Sequence, residues 1–237
     1  MKISLVIPAH NEEKYIAKCL ESAIKNSDGK FHEIIVVDNA STDKTKQIAE
    51  TFSGVRVVSE PSKGLTKARQ KGLMEAKGDL VAYVDADTLM PKKWTEKVLK
   101  EFQKNTKIVC VSGPYKYYDV SFHKKIFIWL FWNLLAHPSY FFTGYMVTGG
   151  NFVAKKEALH KINGFDTTIE FYGEDTDIAK RLHKIGKIYF ANKLYMPTSG
   201  RRFKGEGFTK TAIKYIINFS AIALKGKPTT KNHIDIR

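Results

Sequence analysis

The chain has 237 residues, 43% apolar and 27% charged, enough for one sizeable core and at odds with a disordered or integral membrane protein. Its net charge is +15, yet residues 1–90 hold 13 basic and 13 acidic side chains, so the whole excess lies beyond Met90. A basic second half predicts a polyanionic partner (anionic lipid head groups, nucleic acid or a phosphorylated acceptor) or a merely solvated lysine face.

In chain order, the first half alternates strand and helix signals. Ile3-Ser4-Leu5-Val6-Ile7 is a mostly apolar run too short for a signal h-region and without a cleavage site, so no secretion signal is expected. From Glu12 to Lys25 the pairs Tyr15/Ile16, Cys19/Leu20 and Ala23/Ile24 recur at helical spacing. A strand follows at Glu33–Val37, a helix at Asp43–Phe52, a strand at Val55–Ser59, a helix at Thr66–Ala76 and a strand at Leu80–Val84. Short strands alternating with helices predict βαβ units in a mostly parallel sheet. Beyond a helix at Lys92–Lys104 and a strand at Ile108–Val111 the alternation stops.

The second half is aromatic and basic. The apolar run Ile126–Ala136 ends at His137-Pro138-Ser139 and is too short to span a bilayer, so it is an interfacial segment or a buried helix. Trp129 and Trp132 beside Lys124-Lys125 favour the interface. A helix is expected over Thr176–Lys184 and a last, lysine-bearing one over Phe208–Leu224. Cys19 and Cys110 match no metal or redox spacing and are expected in the core.

Three polar clusters follow strands: Pro8-Ala9-His10-Asn11, Asp38-Asn39-Ala40 and Asp85-Ala86-Asp87. Right-handed crossovers put all those strand ends on one edge, so the clusters face the crevice where open sheets bind ligands. Two carboxylates one residue apart, Asp85 and Asp87, suit a hard divalent cation, which is commonly held by one or two carboxylates plus substrate phosphates. Glu174, Asp175 and Asp177 open the helix at Thr176, where the positive dipole end favours an ionised carboxylate. Arg201, Arg202 and Lys204 sit in a loop flanked by Gly200, Gly205 and Gly207, with guanidinium forks suited to phosphate oxygens or simply solvated. His10, His123 and His137 are available as further metal ligands, but none is assigned.

Over residues 3–205 these motifs together resemble the family 2 glycosyltransferases, which have the GT-A fold. The matching stretches are Ser4 to Glu13, Asp38 to Asp43, Lys63 to Arg69 with Gly72, Ala76 and Gly78, Asp85-Ala86-Asp87, and Gly149-Gly150-Asn151-Phe152 followed by Gly164-Phe165-Asp166 and Gly173 to Asp177. The resemblance implies an α/β, Rossmann-like, mostly parallel sheet flanked by helices, with an acceptor-side subdomain and a C-terminal amphipathic helix. It divides the chain into a nucleotide-sugar-binding half (1–115) and an acceptor half (116–237). It implies metal-dependent, inverting transfer of a sugar from a nucleoside-diphosphate-sugar to an acceptor hydroxyl, with Mn²⁺ or Mg²⁺. Asp87 would hold the metal and Asp175 would act as general base; Pro8, Ala9, Glu12, Asp38, Arg69, Asp85, Arg201 and Arg202 would bind the donor. Asn39-Ala40 departs from the family's Asp-Gly, and the Gln-X-X-Arg-Trp motif of processive synthases is absent, which favours transfer of a single sugar. A nucleotidyltransferase of similar architecture and a basic nucleic-acid-binding module are the rival readings. Against them, the first turn is neither Gly-rich nor basic, and no nucleic-acid-binding motif is present. The charge asymmetry adds the expectation of a cytoplasmic enzyme, peripheral at the inner face of an anionic membrane, with a lipid-linked or envelope acceptor.

Overall fold

The computed structural model describes residues 1–169, 172–225 and 229. The first half follows the expected alternation: β1 (Ile3–Ala9), α1 (Ile16–Asn26), β2 (Phe31–Asp38), α2 (Thr45–Glu50), β3 (Val55–Ser59), α3 (Leu65–Glu75), β4 (Leu80–Val84), α4 (Trp94–Lys104) and β5 (Ile108–Ser112). The second half contributes β6 (Tyr115–Tyr117), α5 (Phe122–Phe131), a π-helical stretch Trp132–Ala136, α6 (His137–Thr143), β7 (Asn151–Lys155), α7 (Lys156–Lys161), α8 (Glu174–His183), β8 (Lys187–Phe190), β9 (Met196–Thr198), α9 (Arg201–Gly205) and α10 (Phe208–Lys225).

Seven strands form one sheet in the order β3-β2-β1-β4-β7-β5-β8. β3, β2, β1 and β4 run parallel, β7 enters antiparallel between β4 and β5, and β8 pairs parallel with β5. Side-chain alternation divides the core between two faces. Ile3, Leu5 and Ile7 pack with Leu20, Trp94 and Val98 on one face; Val6, Val81 and Tyr83 pack with Leu73, Ile178 and Leu182 on the other. Cys19 and Cys110 are both buried, as expected.

The second half departs from expectation in three places. Pro138 does not end the aromatic helix: helical backbone runs from α5 through the π-helical stretch into α6, and the wider π turn just before Pro138 accommodates a residue with no N–H to donate. The Arg201–Gly205 segment, expected as a loop, is the short helix α9. β7 lies in the middle of the sheet, although Asn151-Phe152-Val153-Ala154-Lys155 holds only three apolar residues between polar ends and no strand is expected there. Beside the main sheet, β6 and β9 pair in parallel, and Thr88 bridges to Thr198. That small sheet braces the turn after β4.

Candidate active site

β1, β2 and β4 end side by side, so their three polar turns converge as the topology demands. A cavity of about 640 Å³ opens there. Pro8, Ala9, Glu12, Arg69, Asp85, Asp87, Asp175, Arg201 and Arg202 all line it. Asp38, the remaining sequence-predicted residue, ends β2 in register with Ala9 and is buried just behind the lining residue Asn39. Its Oδ1 has no hydrogen-bond partner among the described residues.

Asn39 shows why the second position of its motif is an amide. Its Nδ2 donates to the carbonyls of Glu60 and Ser62, both at 2.9 Å, while its Oδ1 accepts from Gly64 N–H at 2.8 Å. A carboxylate would face two carbonyl oxygens with nothing to donate. Ala40 then adopts φ +56°, a left-handed conformation that a glycine would enter without strain.

Two arginines organise the carboxylates. The Arg201 guanidinium lies between Glu12 and Asp87, with Nη2 2.6 Å from Glu12 Oε1 and Nε 3.0 Å from Asp87 Oδ2, over the ring of Tyr15. Arg69, in α3, is 1% exposed; it donates Nη2 to Asp85 Oδ1 and Nη1 to Glu174 Oε1, each at 3.2 Å. Expected to contact nucleotide, Arg69 is thus brought to the site but committed to two carboxylates. Arg202 reaches Glu206 Oε1 at 3.0 Å, in a cluster with Tyr172 and Lys214.

Asp85 also accepts the Tyr115 hydroxyl at 2.7 Å, and that oxygen accepts Gly150 N–H. A side chain at Gly150 would put a Cβ 2.2 Å from Asp85 Oδ2, and one at Gly149 would meet Arg69 Nη2 at 2.9 Å. The paired glycines let β7's leading turn press against this network. Asp87 is held by Thr198 Oγ1 at 3.2 Å. Burial pushes its carboxyl up to about 7, with Asp85 and Glu12 adding to the shift and Arg201 opposing it. Asp175 sits in the first turn of α8, its Oδ1 accepting Thr176 N–H at 2.8 Å. The dipole was expected to keep it ionised, but burial raises the pKa of both Glu174 and Asp175, with Arg69 opposing. A carboxylate with a raised pKa is the better proton acceptor.

Tyr115 and Thr198 are not singled out from sequence, and Glu174 is read only as one of the acids opening a helix. Their signals, a Tyr-Lys-Tyr strand, an acid beside the candidate base and a threonine in a three-residue strand, are individually common. Of the histidines, His10 lines the cavity with Nδ1 at the Asn39 carbonyl, and His137 Nε2 meets Asn192 Oδ1. Among the described residues no three His, Cys, Asp or Glu side chains gather to hold a metal ion. The donor set present nonetheless fits a hard divalent cation. Two guanidiniums serve four carboxylates, and one or two carboxylate ligands suffice when substrate phosphates complete the shell.

The family model described as Glycosyl transferase family 2 matches residues 4–162, and a second, the N-terminal domain of galactosyltransferase, matches residues 133–195. Glycosyltransferase GlyG of Streptococcus pneumoniae is 28% identical over 209 residues, covering 86% of this chain and 62% of that protein. A hyaluronan synthase of Pasteurella multocida is 27% identical over 210 residues, covering 81% of this chain and 20% of its own length. The chain therefore spans less than two-thirds of these relatives. Among solved structures, mannosyltransferase PcManGT from Pyrobaculum calidifontis in complex with GDP-Man and Mn²⁺ superposes with a TM-score of 0.73 at 20% identity, covering 94% of this chain and 64% of that one. Glucosyl-3-phosphoglycerate synthase from Mycobacterium tuberculosis, with Mn²⁺, UDP and glucosyl-3-phosphoglycerate, gives 0.70 at 23%, covering 97% and 81%. With its family model matched over most of the chain and its mostly parallel sheet matched by these neighbours, the chain belongs to glycosyl transferase family 2 and has the GT-A fold.

Proposed function

We propose that the chain transfers a sugar from a nucleoside-diphosphate-sugar to an acceptor hydroxyl by inverting single displacement, with a divalent cation. The observation that carries this reading is the convergence of Asp85, Asp87 and Asp175 on one cavity at the strand ends, with arginines between the carboxylates. The neighbours bound to GDP-Man or UDP with Mn²⁺ support it.

Asp38 would accept an N–H of the nucleotide base; its buried Oδ1, unpartnered among the described residues, supports this. Pro8 and Ala9 form the wall beside it. Asp87, helped by Asp85, would hold the cation, which supplies positive charge against the developing charge on the leaving diphosphate. Arg201 and Arg202 line the same cavity and would turn toward the diphosphate oxygens. Arg69 positions Asp85 and Glu174 without touching donor. Asp175 takes the acceptor's proton as the new bond forms on the face opposite the departing diphosphate. In support, α8 begins at the cavity wall with Asp175 in its first turn.

The acceptor belongs to cell-envelope or lipid-linked glycan synthesis, and the enzyme works in the cytoplasm at the inner face of the membrane. This finer reading is supported by the charge excess beyond Met90. Among the described residues no helix is long and apolar enough to cross a membrane.

Asp87→Asn and Asp175→Asn test the assignments together. Calorimetry with UDP and GDP should show that Asp87→Asn loses the Mn²⁺-dependent part of nucleotide affinity. Asp175→Asn should keep that affinity and lose about a hundredfold or more in turnover. Equal nucleotide binding with and without EDTA in Asp87→Asn, at wild-type strength, would refute the metal assignment.

A further inference from the structure

The cavity extends past the carboxylates. Away from β4 its lining is mostly apolar, with Phe131, Trp132 and Ala136 and, from α10, Ala212 and Phe219, and with Ser139, Thr211, Asn218 and Ser220 among them. Phe127 of α5 and Ile216 of α10 line it too, yet stand 61% and 42% exposed, so they mark its mouth. A sugar nucleotide and a sugar hydroxyl are polar, and none of the steps above uses this lobe.

The mouth opens onto an apolar surface. α5 buries none of its ten residues, and Phe122 and Trp129 on it are exposed. Phe141 and Phe142 of α6 are 83% and 84% exposed, and Ile213 and Ile217 of α10 are exposed as well. Soluble monomers seldom expose so much large apolar side chain in elements that share one cavity. The exposed charge around it is mostly basic. Residues 121–143 and 207–224 contain lysines at 124, 125, 210 and 214 and no aspartate or glutamate, and of these lysines Lys214 is paired with the buried Glu206. Aromatic and aliphatic side chains among cations complement an anionic bilayer surface. A second copy of the chain would instead bring these lysines against one another.

We propose that the apolar lobe receives the hydrocarbon tail of an amphiphilic acceptor, which enters sideways between α5 and α10 from an anionic bilayer on which α5, α6 and α10 rest. The proposal deepens the acceptor reading above and rests on it for the position of the acceptor's head group beside Asp175. The tail lies between Phe127 and Ile216 at the mouth and Trp132 and Phe219 further in. The head group, still tethered, reaches the carboxylate end of the same cavity. The acceptor need never leave the membrane.

Two measurements on the full chain test this. In flotation with phosphatidylcholine vesicles, binding should require added phosphatidylglycerol and weaken at high salt. Replacing Phe141 and Phe142 with Asp should lower it by more than about tenfold, and their exposure leaves the fold intact. In calorimetry with n-dodecyl phosphate below its micelle concentration, the wild type should bind while inorganic phosphate does not. Ala212→Phe, which fills the lobe, and Ile216→Asp, at the mouth, should each weaken that binding by about tenfold or more. A chain that stays unfloated with anionic vesicles at low salt overturns the proposal. So does undiminished dodecyl phosphate binding in both variants, or a dimer that fails to float and so assigns the face to a second copy. UDP and GDP titrations with Mn²⁺ on the same preparations separate the two readings. Absent nucleotide binding beside intact flotation and tail binding would defeat the donor reading and leave the tail site standing.

Discussion

Arg69→Met isolates the charge arrangement on which the site depends. The methionine keeps most of the volume and removes a guanidinium that is 1% exposed and shared by Asp85 and Glu174. Removing one partner of a buried ion pair costs about 3–5 kcal/mol. Here two responses pull the cost toward the lower end. The Asp85 side chain is about one-third exposed and keeps the Tyr115 hydroxyl, and Glu174, already displaced upward by burial, can take up a proton. About 3 kcal/mol in a domain of this size lowers Tm by about 6–12 °C. The deficit should grow with pH. Glu174 keeps its proton in the folded protein where the unfolded chain has lost it, so its contribution to stability is largest in acid. It falls as pH rises above the ordinary carboxylate range toward the raised folded value. Without Arg69 that value rises further and the fall extends over a wider range. Glu174→Gln should by itself change stability by less than about 1 kcal/mol, and in its background Arg69→Met should cost about 1 kcal/mol less and lose the pH dependence. Thermal melts followed by far-UV circular dichroism across pH decide this. A deficit below about 2 °C, or one unchanged by Glu174→Gln and flat with pH, would refute the shared-guanidinium account.

Two smaller predictions concern the turn after β2. Asp38→Ala should weaken UDP or GDP binding by about tenfold or more in calorimetry, because it removes the buried acceptor oxygen, while leaving turnover at saturating donor near normal. Ala40→Gly should raise Tm by about 1–4 °C by relieving a left-handed conformation at φ +56°, net of the extra freedom glycine gives the unfolded chain.

The sequence announced the first half because each strand there is a buried apolar run and each helix repeats at its own period. Parallel topology then required the strand ends, and so the residues at Pro8, Asp38 and Asp85, to share an edge. β7 escaped notice because its placement depends on pairing with β4 and β5, which lie distant in the chain. α9 escaped because five residues between glycines carry no period. The roles of the arginines were equally unreadable. Arg69 and Arg201 are separated from their carboxylates by 16 to 189 positions, and only the fold brings Arg201 onto Glu12 and Asp87. Asp175 was read correctly as first-turn in α8, but its environment was not: local dipole reasoning favoured the charged form, whereas the surrounding wall of the cavity desolvates it.

The position of Arg201 bears on how donor and metal bind together. Its guanidinium lies against the Asp87 oxygen at 3.0 Å and against Glu12 at 2.6 Å, the side from which the proposed cation would approach. With Arg69 also shared, the carboxylates around β4 outnumber the guanidiniums they contact. Mn²⁺ arriving alone would find few protein oxygens among the described residues, and a diphosphate would complete its shell. On the proposed function each would therefore raise the affinity of the other, by the same factor in both directions. Arg201 would then leave Asp87 and Glu12 and pair with the diphosphate, exchanging carboxylate oxygens for phosphate oxygens. Arg201→Ala should separate the two roles with opposite signs. Mn²⁺ alone, titrated by electron paramagnetic resonance, should bind more tightly because a competing cation is gone. UDP in the presence of Mn²⁺ should bind less tightly, by about tenfold or more, because a phosphate partner is gone. If both affinities fall, Arg201 acts as a brace that holds Asp87 and Glu12 in place, and the exchange does not occur.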